Sequence, residues 1–134
     1  MTASPPSMDR VVLDASAVLA LLAEEPGADE VEALLDGSAM SAVNLAEVLQ
    51  TSIQHHVETE GLEYDLLGLG VEIYPFDVMH ARATAELWGR SPRAGLSLGD
   101  RACISLAAGL DVVAVTTDRH WAELDLGVPI RVIR

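Results

Sequence analysis

The chain has 134 residues, half of them hydrophobic and only 4% aromatic, which suits one domain with an aliphatic core of helices packed on a sheet. Its 21 acidic against 8 basic residues leave a formal charge of −13, the opposite of the basic footprint usual in nucleic-acid binders. A membrane span is excluded, because no run of about 18 apolar residues occurs, and a single cysteine, Cys103, excludes an internal disulfide and suits a reducing cytoplasm. All eight bases are Arg.

Residues 1–9 read as a loose polar tail without the basic and apolar regions of a signal peptide, and residues 10–134 as one domain. The β-branched run at 10–13 predicts a buried strand. Asp14 or Ser16 then caps a helix over 17–23, which Pro26-Gly27 ends. A helix over 28–35, a very short strand at 39–41 and a longer helix over 42–57 follow. On that long helix Asn44, Glu47, Thr51 and Gln54 share one polar face. A helical turn is expected at 64–69. The stretch 71–76 contains Pro75, which marks an outer strand. A helix over 78–88, a polar loop at 89–95 with Arg90 and Arg93, and a helix from Asp100 to a Gly109 cap come next. The run at 111–116 is the best strand pattern, Thr117-Asp118 opens a short helix containing Trp121, and 128–133 is the last strand. Alternating strands and helices imply right-handed crossovers and a mostly parallel sheet covered on both faces, an α/β fold.

In such folds ligands sit beyond the C-terminal ends of the strands. Asp14 and Asp118 both fall there. Each acid has an ordinary structural explanation: Asp14 and Asp118 stand at helix starts, Ser97-Leu98-Gly99-Asp100 has the form of a capping box, and Glu47 lies on a polar helix face. Four carboxylates brought together would repel one another unless a cation compensates, and an all-oxygen set suits Mg²⁺ or Mn²⁺. Zinc is not expected. His55 and His56 are adjacent and so diverge on a helix, and His80 and His120 are isolated.

Four motifs in order carry a resemblance. Val-Val-Leu-Asp14-Ala-Ser16-Ala-Val-Leu resembles the opening motif of PIN-domain nucleases, and Asn44-Leu-Ala-Glu47-Val resembles their second. Leu96-Ser-Leu-Gly-Asp100-Arg-Ala-Cys103 is similar to the third, the most specific, and Thr116-Thr-Asp118-Arg-His-Trp121 to the fourth. The third motif and the compact length resemble the VapC toxins of bacterial toxin–antitoxin pairs. The resemblance implies a three-layer α/β/α fold and Mg²⁺-dependent endoribonuclease activity using metal-activated water. It makes Asp14, Glu47, Asp100 and Asp118 the catalytic metal-binding acids, with Ser16, Asn44 and Thr116 in support. Arg90, Arg93, Arg101 and Arg119 are candidates to grip RNA phosphates. A cognate antitoxin and a homodimer are the implied protein partners. A PIN nuclease of housekeeping RNA processing, or a binding module whose acids are merely caps, are the competing readings. A haloacid-dehalogenase-like phosphatase would need an Asp where Ser16 stands, and a phospho-receiver domain would need a Lys.

Overall fold

The structure is a computed structural model that describes residues 10–134; the expected tail at 1–9 lies outside the described residues. Five short strands form one all-parallel sheet: β1 (Val11–Leu13), β2 (Ala39–Ser41), β3 (Glu72–Tyr74), β4 (Val113–Thr116) and β5 (Ile130–Val132), in the order β3-β2-β1-β4-β5. β1 is central. Its Val11, Val12 and Leu13 pair in register with Val113, Ala114 and Val115 of β4, and on the other side Val12 pairs with Ala39 of β2.

The period-2 alternation of strand side chains divides the core into two halves. Val11, Leu13, Met40 and Val115 face one side, where they meet Val18 of α1 (Ala15–Leu22), Val31 of α2 (Ala28–Leu34), Val48 of α3 (Ala42–Gln54) and Leu66 of α4 (Leu62–Gly68). Val12, Ala39 and Ala114 face the other side. They pack on Leu87 of α5 (Val78–Arg90), on Cys103, Ile104 and Ala107 of α6 (Leu98–Leu110), and on Trp121 of a 3-10 turn (Arg119–Glu123). Helices therefore cover both faces, giving the expected three-layer α/β/α architecture, and the inner strands read as continuous apolar runs for that reason. Among the described residues no helix is long and apolar enough to cross a membrane.

Several boundaries differ from the sequence expectation. α3 stops at Gln54, before 57, because His56 turns left-handed and its chain closes on itself: the Val57 N–H donates to the Ser52 carbonyl at 2.9 Å and that of His56 to Ile53 at 3.0 Å. α6 runs through Gly109 to Leu110. The residue that turns left-handed is Asp111 at φ 56°, closed by Val112 N–H to the Ala107 carbonyl at 3.0 Å; Asp tolerates that conformation better than most side chains. α5 extends to Arg90 and shortens the expected loop. β3 is an edge strand, as Pro75 implied, and Arg10 braces it through Glu72 at 2.8 Å and the Tyr74 hydroxyl at 2.7 Å.

Gly27 joins α1 to α2 at φ 97°, and a Cβ there would run into the carbonyl oxygen of Ile133. Strain and collision act together at this position. Gly27→Ala should cost about 2 kcal/mol or more, read as a lowered urea midpoint with an unchanged slope. A midpoint equal to wild type would show that the junction relaxes freely.

Candidate functional site

The strand order fixes where a site can form. From β1 the sheet grows toward β2 and β3 on one side and toward β4 and β5 on the other, so the connections diverge and leave a crevice at the C-terminal ends of β1 and β4. Asp14 is the first residue after β1, and its N–H donates to the Val115 carbonyl at 3.1 Å. Asp14 caps α1: its Oδ1 accepts from Ala17 N–H at 2.8 Å and from the Ser16 hydroxyl at 2.7 Å. A cap uses one oxygen. The other, Oδ2, accepts from the Thr116 hydroxyl at 2.6 Å, from the end of β4. Ser16 in turn accepts from the Thr117 N–H at 3.0 Å, and the Thr116 hydroxyl accepts from that of Asp118 at 3.1 Å. Two hydroxyls thus tie the two strand ends through one carboxylate.

That carboxylate is only 4% exposed, and all its donors are neutral. Burial is the dominant influence and raises its pKa to about 6. The hydrogen bonds of Thr116, Ser16 and Ala17 pull downward, and the charge of Asp100 pushes up further.

Glu47 reaches the same region from α3. Its Oε1 accepts from Asn44 Nδ2 at 2.8 Å, and the same amide nitrogen donates to the Gly99 carbonyl at 3.0 Å, in the first turn of α6. Asp100 follows at once. The sequence capping box is formed: Ser97 N–H donates to Asp100 Oδ2 at 3.0 Å, and Asp100 N–H donates to the Ser97 hydroxyl at 3.1 Å. Beneath these groups lies the buried Cys103. Its thiol is pushed well above its ordinary range, first by burial and then by the charges of Asp14, Asp100 and Glu47. The charges of three of the four expected acids thus act on the Cys103 thiol.

Asp118 is the outlier. It is exposed and caps the 3-10 turn, accepting from His120 N–H at 2.9 Å; its link to Asp14 runs through Thr116. Of the expected arginines, Arg101 donates to the Ser97 carbonyl at 3.2 Å and Arg119 to the Arg134 carbonyl at 3.3 Å. Among the described residues Arg90, Arg93, Arg101 and Arg119 form no ion pair, whereas Arg10, Arg131 and Arg134 do.

Among the described residues no three acids, histidines or cysteines are already drawn into a metal-ligand cluster. The carboxylates accept from local N–H and O–H donors. The donor set nevertheless fits a hard divalent ion. It is all oxygen, and one carboxylate is desolvated with no cationic partner among the described residues. Glu47 also lies so close to Gly99 that a Cβ there would collide with it.

Two residues at this edge escaped the sequence reading. Gly99 is one; a glycine in the first turn of a well-patterned helix was its signal. The other is His120. Its Nε2 lies 2.8 Å from the Ala94 carbonyl oxygen, tying the loop after α5 to the 3-10 turn, and that bond followed by Glu123 raises its pKa above 6.5. His80 packs between α5 and α6 with Nε2 2.9 Å from the Ala102 carbonyl oxygen, as a helix-packing residue.

A PIN domain family model matches residues 11–126. The fold is similar to DNA-bound VapBC from Salmonella typhimurium, with a TM-score of 0.72 and 17% identity over 93% of this chain and 98% of that one. A toxin–antitoxin complex from Klebsiella pneumoniae is similar with TM-score 0.72 and 17% identity, over 92% and 98% of the two chains. A VapBC-5 toxin–antitoxin structure from Mycobacterium tuberculosis has TM-score 0.53 and 24% identity, over 94% and 98%. At these identities the likeness is one of fold. Among curated proteins none matches this chain.

Burial of Asp14 has a consequence for metal-free protein. Unfolded, its carboxyl ionises near 3.8, and folded, at about 6. Between those values the native state holds more protons, so the Asp14 contribution is most favourable below pH 4 and is lost as pH rises through 6, by roughly 3 kcal/mol. Asn keeps the cap and carries no charge. In EDTA, the stability difference between Asp14→Asn and wild type should therefore grow in favour of the variant from pH 4 to pH 7. A difference that stays flat across that range would remove the desolvation argument.

Proposed function

The chain belongs to the PIN domain family, and from that membership we propose that residues 10–134 form a divalent-metal-dependent endoribonuclease that is the toxin of a toxin–antitoxin pair. The observation that carries this reading is the Asp14 carboxylate, buried at the sheet's switch point beside the charge of Asp100. Capping alone explains neither its burial nor the hydrogen bond its second oxygen takes from Thr116.

In this reading Asp14, Glu47 and Asp100 hold Mg²⁺ or Mn²⁺, and Asp118 joins them from the exposed side. When bound, such an ion supplies acidified water as nucleophile and neutralises phosphoryl charge. The chain's own groups do the rest. Ser16 and Thr116 fix both oxygens of Asp14, and Asn44 fixes Glu47. Arg90, Arg93, Arg101 and Arg119, free of carboxylate partners among the described residues, bind flanking phosphates. The choice of RNA over DNA rests on the resemblance of the motifs.

The toxin assignment draws support from the fold likeness to toxin–antitoxin structures. An antitoxin segment lies on the apolar helices at 18–22 and 31–35, where Val18 and Val31 are core and Leu22, at the end of α1, is 44% exposed. Beside Leu22 lies a cavity of about 550 Å³ lined by Leu19, Leu22, Thr51, His55, Val57 and Leu62, a surface suited to the apolar face of a partner helix.

Two outcomes test the reading. Millimolar Mg²⁺ should raise the melting temperature of wild type, because an ion bound only to the folded state stabilises it by mass action. Asp14→Asn and Asp100→Asn should lose most of that shift and reduce cleavage of total RNA at least a hundredfold, while melting no lower than wild type in EDTA. Undiminished cleavage by both variants would end the metal-nuclease reading. For the partner, the product of the adjacent short reading frame should co-purify and suppress cleavage. Leu22→Asp, at a position 44% exposed, should weaken that association without reducing cleavage. An adjacent product that neither binds nor inhibits would leave a nuclease without the toxin role.

A further inference from the structure

Gly99 is buried in the first turn of α6, and its φ is not in the left-handed region. Backbone conformation therefore does not require glycine, and Ala is the better helix former. What requires glycine is a neighbour. A Cβ at Gly99 would lie 2.6 Å from Glu47 Oε2 and 2.5 Å from its Cδ, and closer still to Oε1. The carboxyl group of Glu47 occupies the volume a side chain would take. It is held there by Asn44, whose Nδ2 bridges Glu47 Oε1 and the Gly99 carbonyl. Asn44 is 1% exposed and its Oδ1 has no hydrogen-bond partner among the described residues. An unmade bond on a buried amide is costly, and the arrangement is retained with that cost in place. Rotating the amide would leave its oxygen facing two acceptors, so both donor contacts depend on this orientation.

We propose that Gly99 is a positioning residue: its missing side chain is the seat that, with Asn44, holds the Glu47 carboxylate beside Asp100. The inference rests on the metal-nuclease reading above. Gly99 touches neither substrate nor ion; it acts only through Glu47. The contact lies at the far end of a flexible side chain, so Gly99→Ala is accommodated by Glu47 swinging away, and the fold survives while the acid leaves its seat.

The test uses full-length protein and four variants: Gly99→Ala, Glu47→Gln, the double variant, and Gly109→Ala. Gly109 lies on the same helix with nothing within 4 Å of its Cβ position, so it reports helix propensity alone. Mn²⁺ affinity is measured by titrating the melting temperature, and cleavage of total RNA is measured beside it. Gly99→Ala should melt at or near wild type in EDTA, yet bind Mn²⁺ and cleave about tenfold more weakly, the usual effect of disturbing a ligand's supporting contacts. Gly109→Ala should match wild type in both. Because Gly99 works through Glu47, the double variant should be no worse than Glu47→Gln alone. Wild-type Mn²⁺ affinity and cleavage retained in Gly99→Ala would overturn the seat while leaving the nuclease reading intact. Wild type that neither binds Mn²⁺ nor cleaves RNA would overturn both. Additive losses in the double variant would also overturn the seat, since Gly99 would then act independently of Glu47.

Discussion

One buried carboxylate, held by the neutral donors Ser16, Ala17 and Thr116, sets the terms for the C-terminal edge of this sheet. Asp14 must stand where β1 ends, because its backbone N–H continues the ladder to Val115, and that place is roofed by α1 and flanked by β4. Neutral donors satisfy its oxygens but cannot cancel desolvation, so its pKa rises to about 6. A buried ionised acid next to another acid is a standing destabilisation, and structures keep such groups where chemistry uses them. Ser16 and Thr116 follow from the same constraint. Each is a short hydroxyl able both to donate to Asp14 and to accept an N–H from the turn that begins Thr117-Asp118.

Capping and site chemistry are not alternatives at this edge. Asp14 and Asp118 each cap a helical segment, and Asp100 closes the capping box whose N-cap is Ser97. A helix N-terminus placed at the mouth of the crevice needs an acceptor for its free N–H groups, and an acid that meets that need is thereby fixed in space. The cap supplies the preorganisation. The difference between a cap and a site lies in what surrounds the second oxygen. For Asp14 it is a buried threonine from another strand, whereas Asp118 remains exposed.

How much was legible in the sequence follows from where the information resides. The apolar runs at Val11–Leu13 and Val113–Thr116 and the acids at their ends are local signals, so the sheet's core and the places of Asp14 and Thr116 could be read directly. Asp100 was legible through Ser97, three residues away. Helix ends were less so: Gly109 looked like a stop, but the chain turned at Asp111, where the closing bonds to Ala107 and Ala108 decide the matter. Long-range geometry was not legible. That the Glu47 carboxyl fills the space over Gly99, and that the His120 ring meets the Ala94 carbonyl oxygen, depend on how α3 meets α6 and how a loop folds over a turn. The sequence holds only the oddity of a glycine in a helix and a lone histidine.

The charge of −13 is the strongest argument against nucleic-acid chemistry, and its weight depends on where the acids lie. Glu24, Glu25, Asp29, Glu30 and Glu32 line the cavity where α1 passes into α2. Asp14 stands at the opposite end of α1, whose eight residues span about 12 Å, beyond the ~8 Å Debye length at physiological salt. Two of those acids are also neutralised locally, Glu30 by Arg131 and Glu25 by Arg134. Arg90 and Arg93, by contrast, sit on the segment that leads into α6 and Asp100, without carboxylate partners among the described residues. In the proposed nuclease, a phosphate approaching the crevice would meet the field of those guanidiniums and of any cation the acids hold. Net charge therefore describes the whole surface, whereas the field at this edge is set by the charged groups nearest to it.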